Sequence, residues 1–303
     1  MKKLSIIAVL LLAFQMHGQQ DPQYTQYMYN MNIINPAYAG SRENLSFGLL
    51  YRKQWAGIEG APETGTFFGH SPIGNNLGLG LSAITDQIGP VKETNLYADI
   101  SYTLQLGGEH RLAFGIKAGA TFHDINLANS NVDVIDPNDP FFGMGITKTT
   151  PNIGAGFFYY TEKYYLSLSV PNFLSSVHLD DNGNKIGSDT QHYFLTGGYV
   201  FDLSKNTELK PSFLLKSAFD APTSFDINVN ARFYKKFEIG ASYRLDDSVS
   251  GLINFAVSPS FRIGYAYDSV TSDIRAYAPG SHEIMLLFDL NFSKRISRSP
   301  RYF

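Results

Sequence analysis

Apolar and polar side chains alternate at every second position from Phe225 to Arg244. Successive side chains of a β-strand point to opposite faces, so the alternation predicts strands with one apolar and one polar face. Lys235-Lys236 interrupts the pattern before it restarts at Phe237, which predicts a hairpin. Because Lys-Lys is poorly suited to a primed two-residue turn, we expect a longer turn here.

The same alternation recurs along the chain and predicts an all-β protein. Fourteen strands are predicted, an even number that returns both ends of the strand array to the same side. The predicted strands are 45–55, 64–72, 77–86, 93–106, 110–127, 152–161, 164–171, 191–203, 207–219, 224–234, 237–244, 249–257, 261–268 and 281–292.

The predicted connections between these strands alternate in length around the chain. Bacterial outer-membrane barrels have short periplasmic turns and longer outer loops, whereas a Greek-key sandwich has no reason for this alternation. The pattern therefore predicts a transmembrane antiparallel up-and-down β-barrel of about 14 strands with both termini in the periplasm. The predicted short turns are 73–76, 107–109, 162–163, 204–206, 235–236 and 258–260; the other connections, usually longer, are 56–63, 87–92, 128–151, 172–190, 220–223, 245–248 and 269–280.

A barrel in lipid turns its apolar rows outward to the membrane and its polar rows toward the lumen, the reverse of a soluble sandwich. Charges of both signs in the polar rows favour an internally bridged, plugged barrel over an ion-selective pore, with a narrow channel as the alternative. The predicted lumen charges are Arg52, Lys117, Lys210, Lys216, Arg232, Arg244, Arg262, Asp99, Glu208, Asp226, Glu238, Glu283 and Asp289.

The first residues have the composition of an export signal. Met1-Lys2-Lys3 is followed by an apolar run, Leu4–Phe14, that is too short to cross a bilayer as a helix. Gly18 is a suitable small residue before the cleavage site, which leaves Gln19 or Gln20 as the mature start. No other apolar stretch of the sequence is long enough for a transmembrane helix, so the exported protein is periplasmic, secreted or an outer-membrane barrel.

The predicted domain organisation has four parts: a signal peptide at 1–18, a periplasmic arm or plug at 19–44, the barrel at 45–292 and a basic periplasmic tail at 293–303. Within the arm, Tyr24, Tyr27, Met31 and Ile34 lie near helical spacing, which predicts a short amphipathic helix or a packed extended arm. Asn35-Pro36 is expected to end any helix there.

Composition and motifs point away from catalysis and from nucleic acid. The net charge is −3, and the chain has 17% charged residues and no cysteine, which argues against nucleic-acid binding and excludes disulfides and thiolate metal sites. No metal-ligand or nucleophile-elbow spacing is present, so no catalytic residue, metal or cofactor is predicted; a barrel hydrolase is a minor alternative. Two acidic stretches could suggest calcium sites: 180–184, and the group Asp133, Asp136 and Asp139. The first fails the EF-hand pattern and is interpreted as a polar turn. The second is interpreted as a solvated loop, which is the commoner case.

Five motifs stand out from the general strand pattern: Asp21–Met28, Asn35–Gly40, Tyr51–Gly57, Gly60–Pro62 and Ser281–Leu286. They resemble motifs of the PorP/SprF family of outer-membrane barrels in the type IX secretion system of Bacteroidota, some members of which are tied to gliding motility. The resemblance covers nearly the whole mature chain.

The resemblance implies a non-enzymatic role: capturing or anchoring the C-terminal domain of a secreted surface protein or adhesin, with links to other secretion components and to periplasmic ring or motor proteins. A porin-like diffusion channel is the alternative. Residues expected to bind a partner or form the plug are Asp21, Pro22, Gln23, Tyr24, Gln26, Tyr27, Asn35, Pro36, Tyr38, Gly40, Gln54, Trp55, Gly57 and Pro62. We favour a structural role for Asn35–Gly40, because Pro and Gly fix the shape of the backbone.

Overall fold

The strands of the computed structural model close into one antiparallel barrel of fourteen strands. The structure describes residues 22–42, 44–126, 145–174, 177–181, 184–188, 191–218, 221–278 and 280–290. The strands are β1 (Leu45–Lys53), β2 (Glu63–Pro72), β3 (Leu77–Ile88), β4 (Val91–Gly107), β5 (His110–Ile125), β6 (Ile146–Tyr160), β7 (Tyr164–Val170), β8 (Val177–Asp181), β9 (Asn184–Ser188), β10 (Tyr193–Tyr199), β11 (Phe201–Ser204), β12 (Thr207–Ala218), β13 (Ala221–Phe233), β14 (Phe237–Arg244), β15 (Ser248–Ser258), β16 (Phe261–Val270) and β17 (Gly280–Leu290).

Each barrel strand pairs with its neighbour in the chain, and β1 closes the barrel against β17 from Leu45↔Leu290 to Lys53↔His282. β10 and β11 both pair with β12 and form one barrel strand that is interrupted at Val200. β8 and β9 form a separate two-stranded hairpin in the connection after β7. Closure gives each of the fourteen barrel strands a paired neighbour on both sides, as a strand array in lipid requires.

The fold class and the fourteen strands are confirmed, and the differences lie in the connections. β6 begins at Ile146 rather than at 152, because it pairs with β5 as far as Ile125↔Ile146 and carries Pro151 within the strand. The hairpin β8–β9 lies in a connection that was expected to be a loop. Three connections expected at 87–92, 220–223 and 245–248 shorten to 89–90, 219–220 and 245–247, since the flanking strands pair further than their alternation indicates.

The turn between β13 and β14 is longer than two residues, as expected. It comprises Tyr234–Lys236, and Tyr234 and Lys235 have φ angles of 51° and 55°. These positive angles give the twist that a hairpin needs. The type of turn is not evident from the sequence, because Tyr and Lys seldom adopt the left-handed backbone conformation.

Side chains along the strands divide into an outer apolar face and an inner, mainly polar face. On β14, Ile239 is 49% exposed, whereas Glu238 beside it is 1% exposed. On β13, Val229 is 44% exposed and Asn230 is fully buried. An outer surface of half-exposed Leu, Ile, Phe and Tyr around a polar interior fits a barrel surrounded by lipid and excludes a soluble sandwich.

The connections define two ends of the barrel. The short-turn end carries the turns 73–76, 108–109, 161–163, 205–206, 234–236 and 259–260, together with the start of β1 and the end of β17. The long-loop end carries the four longest connections, 54–62, 126–145, 171–192 and 271–279, and the short connections 89–90, 219–220 and 245–247.

Residues 22–42, named here the luminal segment, lie inside the barrel. The segment forms a 3-10 turn (Tyr27–Tyr29), a single helical turn (Met31–Ile34) and a second 3-10 turn (Pro36–Tyr38). Its apolar side chains pack against inward-facing strand residues such as Phe68 and Phe158, each 1% exposed, and form one hydrophobic cluster with them. Within the described part of the chain, no helix is long and apolar enough to span a bilayer.

Several predictions fall on residues outside the described ranges. These are the signal peptide at 1–18, Asp21, the acidic loop residues Asp133, Asp136 and Asp139, the tip of the 180–184 stretch and the basic tail at 293–303. The domain boundaries likewise stay predictions.

Candidate functional site: the luminal segment and its contacts

Three motif regions that lie far apart in the sequence meet around one buried carboxylate, Glu283 of β17. The backbone N–H groups of Thr25 and Gln26 donate to its two oxygens at 2.9 and 2.8 Å. Arg52 of β1 binds the same carboxylate at 3.1 Å. The pairing Arg52↔Glu283 between β1 and β17 sets this geometry, because side chains of directly paired residues lie on the same face of the sheet.

Asp268 of β16 completes the arrangement, named here the Glu283 cluster (Thr25, Gln26, Arg52, Asp268 and Glu283). Arg52 Nη2 lies 2.6 Å from Asp268, and the Thr25 hydroxyl donates to the Asp268 carboxylate at 2.8 Å. All five residues are at most 2% exposed. These hydrogen bonds offset part of the desolvation cost of the buried charges, which would otherwise exceed the Coulombic gain. The cluster therefore fixes the start of the luminal segment to three adjacent strands.

A second ion pair holds the segment nearby. Arg244, the last residue of β14, binds Asp226 of β13 with Nε and Nη2 at 2.8 to 3.0 Å. Arg244 Nη1 also donates to Gln23 Oε1 at 2.9 Å, and Nη2 donates to the Tyr24 carbonyl at 3.4 Å. The planar guanidinium thus binds a strand carboxylate and the luminal segment at the same time, which a lysine cannot do with the same geometry.

The other end of the luminal segment is fixed near the start of β1. Arg42 Nε donates to the Tyr38 hydroxyl at 3.0 Å, and Arg42 Nη1 lies 3.3 Å from Asp289 of β17. The Tyr38 ring packs edge-on against His70 and Phe158 with both centroids at 5.2 Å.

Glycines of the barrel wall give the segment room. A Cβ at Gly115 of β5 would lie 2.1 Å from the Ala37 nitrogen, and one at Gly78 of β3 would lie 2.2 Å from the Ala39 carbonyl oxygen. Real Cβ contacts lie well beyond these distances, so neither position accepts a larger residue while the segment stays in place. Gly40 has φ +76° and lies against Gly78, so it needs the left-handed conformation that glycine adopts freely.

Asn35 is the polar centre of the second half of the segment. Its Nδ2 donates to the Phe157 carbonyl at 2.9 Å and to the Ser167 hydroxyl at 2.6 Å, while its Oδ1 accepts from the Ala37 N–H at 2.8 Å. That last bond caps the turn that Pro36 begins. This residue joins the local fold of the segment to β6 and β7.

The predicted lumen charges are buried or half-buried, and several of them meet the middle of the segment. Lys117 lies 3.0 Å from Asp99 and donates to the Asn32 carbonyl at 3.3 Å. Glu238 accepts from the Tyr29 hydroxyl, and the Lys210 ammonium lies 5.2 Å from the Tyr29 ring centroid. The further contacts among the predicted charges are Arg262–Glu238 at 3.6 Å, Arg232–Glu208 at 2.5 Å and Lys216 over the Phe194 ring at 5.9 Å.

The remaining luminal residues from the motifs have identifiable contacts. Tyr24 shares a hydrogen bond with Thr66 at 3.0 Å, and the Tyr27 hydroxyl accepts from Asn228 at 3.0 Å. Pro22 is half-buried beside Arg244 and Asp226 in a recess at the long-loop end.

The other predicted site residues lie in the loop 54–62 at the long-loop end, apart from the Glu283 cluster. Gln54 N–H donates to the Pro62 carbonyl at 2.9 Å, which closes the base of the loop. Trp55 has φ 49°, and its N–H donates to the Ser281 hydroxyl at 3.1 Å, joining the loop to the start of β17. Gly57 is exposed with φ 107°. This loop is held to the barrel by backbone bonds and presents Trp55 and Gly57 at the rim.

Two kinds of residue were missed from the sequence. Asp268 and Thr25 belong to the Glu283 cluster but were not among the predicted site residues, although Asp268 stands in the polar row of its strand. The inward-facing apolar residues were missed because alternation was taken to place every apolar side chain in lipid. Adjacent apolar pairs such as Leu49-Leu50 and Phe157-Phe158 were the available signal, since one member of each pair must face the lumen.

The chemistry of the arrangement is that of a fixed internal segment. Among the side chains that the structure describes, no group of three or more His, Asp or Glu residues is placed to hold a metal ion. The charged groups of the Glu283 cluster bind one another and the backbone N–H groups of the luminal segment. The contacts run from Gln23 at one end of the barrel to Arg42 at the other, and so they occupy the lumen along its length.

A family model described as type IX secretion system membrane protein PorP/SprF matches residues 16–288. No curated protein matches the chain. Solved outer-membrane proteins share its fold: the CymD monoaromatic hydrocarbon channel is 14% identical with a TM-score of 0.54, over 91% of this chain and 94% of that one. The toluene transporter TbuX of Ralstonia pickettii is 8% identical with a TM-score of 0.54, over 86% and 92% of the two chains.

Proposed function

The chain belongs to the PorP/SprF family of type IX secretion system membrane proteins, and we propose that it captures or anchors a secreted surface protein at the long-loop end of a plugged outer-membrane barrel. In this proposal the long-loop end faces outward and the short-turn end faces the periplasm. The luminal segment acts as the plug. The partner is the C-terminal domain of an adhesin or similar cargo, and other secretion components, including ring or motor proteins, contact the periplasmic side.

The observation that carries the proposal is the filled lumen in a secretion-family barrel. The luminal segment is anchored through the Glu283 cluster and through the Arg244–Asp226 pair. A lumen bridged in this way offers little space for a solute to pass through. The rim and the loops are then the surface available for binding a partner. The four long connections at one end supply that surface, since loops on a rigid scaffold carry most binding sites.

The alternative is a diffusion channel, as the name of CymD and the description of TbuX indicate for those proteins. At 8 to 14% identity the likeness extends to the fold alone. The packing of Tyr27, Met28 and Tyr38 inside the barrel argues against an open path, because each is at most 2% exposed. A non-enzymatic role follows from the same reading, in which the polar residues of the interior hold the segment in place.

The test is a gentle detergent pull-down of the tagged protein from its native outer membrane, with mass spectrometry of the co-purifying proteins. The proposal expects a large surface protein at near-equal amounts together with secretion components. A variant with loop 54–62 replaced by a Gly-Ser linker of equal length serves as the matched control and should lose cargo while keeping the barrel folded.

A barrel recovered alone from wild-type membranes contradicts the proposal. Planar-bilayer conductance then decides the alternative. A silent barrel without partners contradicts both the capture function and the channel, whereas steady single-channel currents from the wild-type protein support the channel.

A further inference from the structure

The luminal segment and the inner face of β14–β16 contain buried polar atoms that no described group of the protein hydrogen-bonds. They include both polar atoms of the Asn254 side chain, Gln26 Oε1 and Glu238 Oε2. All three residues are at most 2% exposed. Buried polar atoms in proteins are almost always hydrogen-bonded, either to protein or to ordered water, so this group indicates internal water.

Two of these atoms meet over Gly264 of β16. Gln26 Oε1 and Asn254 Oδ1 each lie 2.4 Å from the position that a Cβ would take on Gly264. The orientation of the Gln26 amide is fixed, because its Nε2 donates to the Glu283 carbonyl at 3.4 Å. Two acceptor oxygens this close need a shared donor, and a water molecule with its two O–H groups bridges them.

The unsatisfied atoms continue toward the short-turn end. Asn254 pairs directly with Glu238, and Arg262 of β16 pairs with Ala256. Arg262 Nη1 is buried without a hydrogen bond in the described part of the chain and lies 3.6 Å from Glu238 Oε2, beyond hydrogen-bond distance. Asn254 Nδ2, the guanidinium and the carboxylate together offer a second water molecule two donors and an acceptor. The Arg262 side chain is 17% exposed, so this polar space reaches the short-turn opening.

An apolar pair closes the other side of the space. Leu252 and Ala266 pair directly and are 2% and 1% exposed. The next inward pair along the same two strands is Ser250↔Asp268, and Asp268 belongs to the Glu283 cluster. Leu252 and Ala266 therefore separate Asn254 from that cluster by one layer of apolar side chains.

We propose that the luminal segment and the inner face of β14–β16 enclose a water-filled crevice, named here the Asn254 crevice, which opens at the short-turn end beside Arg262 and binds water between Asn254 and Gln26. Leu252 and Ala266 close the crevice before the Glu283 cluster. On this side of the plugged lumen, the barrier to water and protons is a single apolar layer. The inference is independent of the capture function, because neither a cargo nor the orientation of the barrel enters it.

The absence of cysteine from the sequence allows single-cysteine labelling of the purified, folded barrel. Asn254→Cys is compared with Leu252→Cys in the apolar layer and with Asn75→Cys, which is exposed in the turn 73–76. The probes are hydroxyethyl methanethiosulfonate, which is small and polar, and a polyethylene-glycol maleimide. The small probe should modify Asn254→Cys and Asn75→Cys, the large probe should modify Asn75→Cys alone, and Leu252→Cys should react with neither. An unreactive Asn254→Cys overturns the inference, because it shows a dry interior, and a reactive Leu252→Cys overturns the apolar layer.

A second substitution tests where the crevice opens. Ala256→Trp, added to Asn254→Cys, places a large side chain on the inward row between Asn254 and the short-turn end, and should abolish modification by the small probe. Gly251→Trp is the matched control, since Gly251 lies on the outer face and its added Cβ meets nothing within 4 Å; labelling should persist there. Heat-modifiable mobility confirms that both double variants are folded. Modification that survives Ala256→Trp overturns the opening at the short-turn end.

Proton flux tests the apolar layer itself. Vesicles that contain the wild-type barrel and an entrapped pH indicator should hold a proton gradient, because the layer excludes water. Leu252→Ser should lose the gradient, since it joins the Asn254 crevice to the polar Glu283 cluster. Leu287→Ser is the control, because Leu287 is also 2% exposed but pairs with Arg262 on the crevice side of the layer, and it should keep the gradient. A wild-type barrel that leaks protons, or a Leu252→Ser barrel as tight as Leu287→Ser, overturns the single-layer barrier.

Discussion

Replacing Glu283 with glutamine tests whether the Glu283 cluster holds the lumen closed. Glutamine keeps the shape of the side chain but loses the charge and converts one acceptor oxygen into a donor. The Thr25 and Gln26 N–H groups, at 2.9 and 2.8 Å, and Arg52, at 3.1 Å, then compete for one remaining oxygen. One of the two backbone donors or the guanidinium faces an NH₂ group instead of a carboxylate.

The cost follows from burial. Removing one partner of a buried ion pair costs about 3–5 kcal/mol, because the other charge stays desolvated. Asp268 still binds Arg52 at 2.6 Å, so we place Glu283→Gln at the lower end, about 3 kcal/mol. Since 1.4 kcal/mol is tenfold in an equilibrium, the ratio of released to docked luminal segment should rise by about two orders of magnitude.

Single-channel recording in planar bilayers measures this ratio directly. Wild-type protein is expected to be nearly silent, and Glu283→Gln is expected to show frequent openings at the same protein density. Glu63→Gln is the matched control, since Glu63 forms its ion pair with Lys53 at 2.5 Å where both side chains are more than 40% exposed. Solvent screens such a pair, so the control should stay silent.

Heat-modifiable mobility on gels confirms that each variant is a folded barrel before it is recorded. A folded Glu283→Gln protein as silent as the wild type refutes the reasoning that this carboxylate holds the segment. Equal opening by Glu63→Gln refutes it too, because the effect then reflects loss of any acidic side chain.

Three further predictions address the rest of the luminal segment. Gly115→Val should push the segment away from β5 at a cost of about 1–3 kcal/mol and open the barrel in bilayers. The control Gly251→Val, whose added Cβ meets nothing within 4 Å, should stay silent, and equal conductance of the two variants would contradict the steric fit. Asn35→Ala should destabilise the docked segment by about 1–3 kcal/mol, because it removes the hydrogen bonds to the Phe157 carbonyl, the Ser167 hydroxyl and the Ala37 N–H, and limited proteolysis of the folded protein should then cleave within residues 22–42; unchanged protection would count against it. Tyr27→Phe removes the hydroxyl that accepts from the Asn228 amide at 3.0 Å and leaves that buried donor unpaired, at a cost of about 1–3 kcal/mol; the open fraction in bilayers should rise, and a record identical to the wild type would argue against a role for this phenol.

The strands were predictable from the sequence because a single physical rule governs them. A strand in a lipid-embedded barrel must present apolar side chains outward at every second residue, and no tertiary contact overrides that requirement. Connections obey no such rule. Strands β3 and β4 continue to Ile88↔Val91 because backbone pairing is favourable beyond the apolar belt, and Pro151 is accommodated inside β6 although it resembles a break.

The site was partly predictable for a different reason. Charges such as Arg52 and Glu283 stood in polar rows, but the rows do not show which strands meet in space, so the contact with Thr25 had no signature in the alternation. The luminal segment has little regular structure to detect: its turns are three or four residues long and lack side-chain caps except at Asn35. Its conformation is imposed by the barrel wall around it.

The two halves of the luminal segment are held by different forces, and this difference bears on how the barrel works. Residues 34–42 are fitted sterically against Gly78 and Gly115, so any shift there meets backbone atoms. Residues 23–26 carry no charge and are held mainly by hydrogen bonds to the buried Glu283, Asp268 and Arg244 side chains, for which donors and acceptors of a partner can compete. A partner that supplies such groups from the long-loop end would release residues 23–26 first and leave residues 34–42 docked. The double variant Glu283→Gln/Gly115→Val separates the two cases: a segment released as one body predicts that the two effects on the released-to-docked ratio multiply, because the costs at two distant anchors add, whereas halves released separately, each opening the lumen, predict an effect close to the sum of the two.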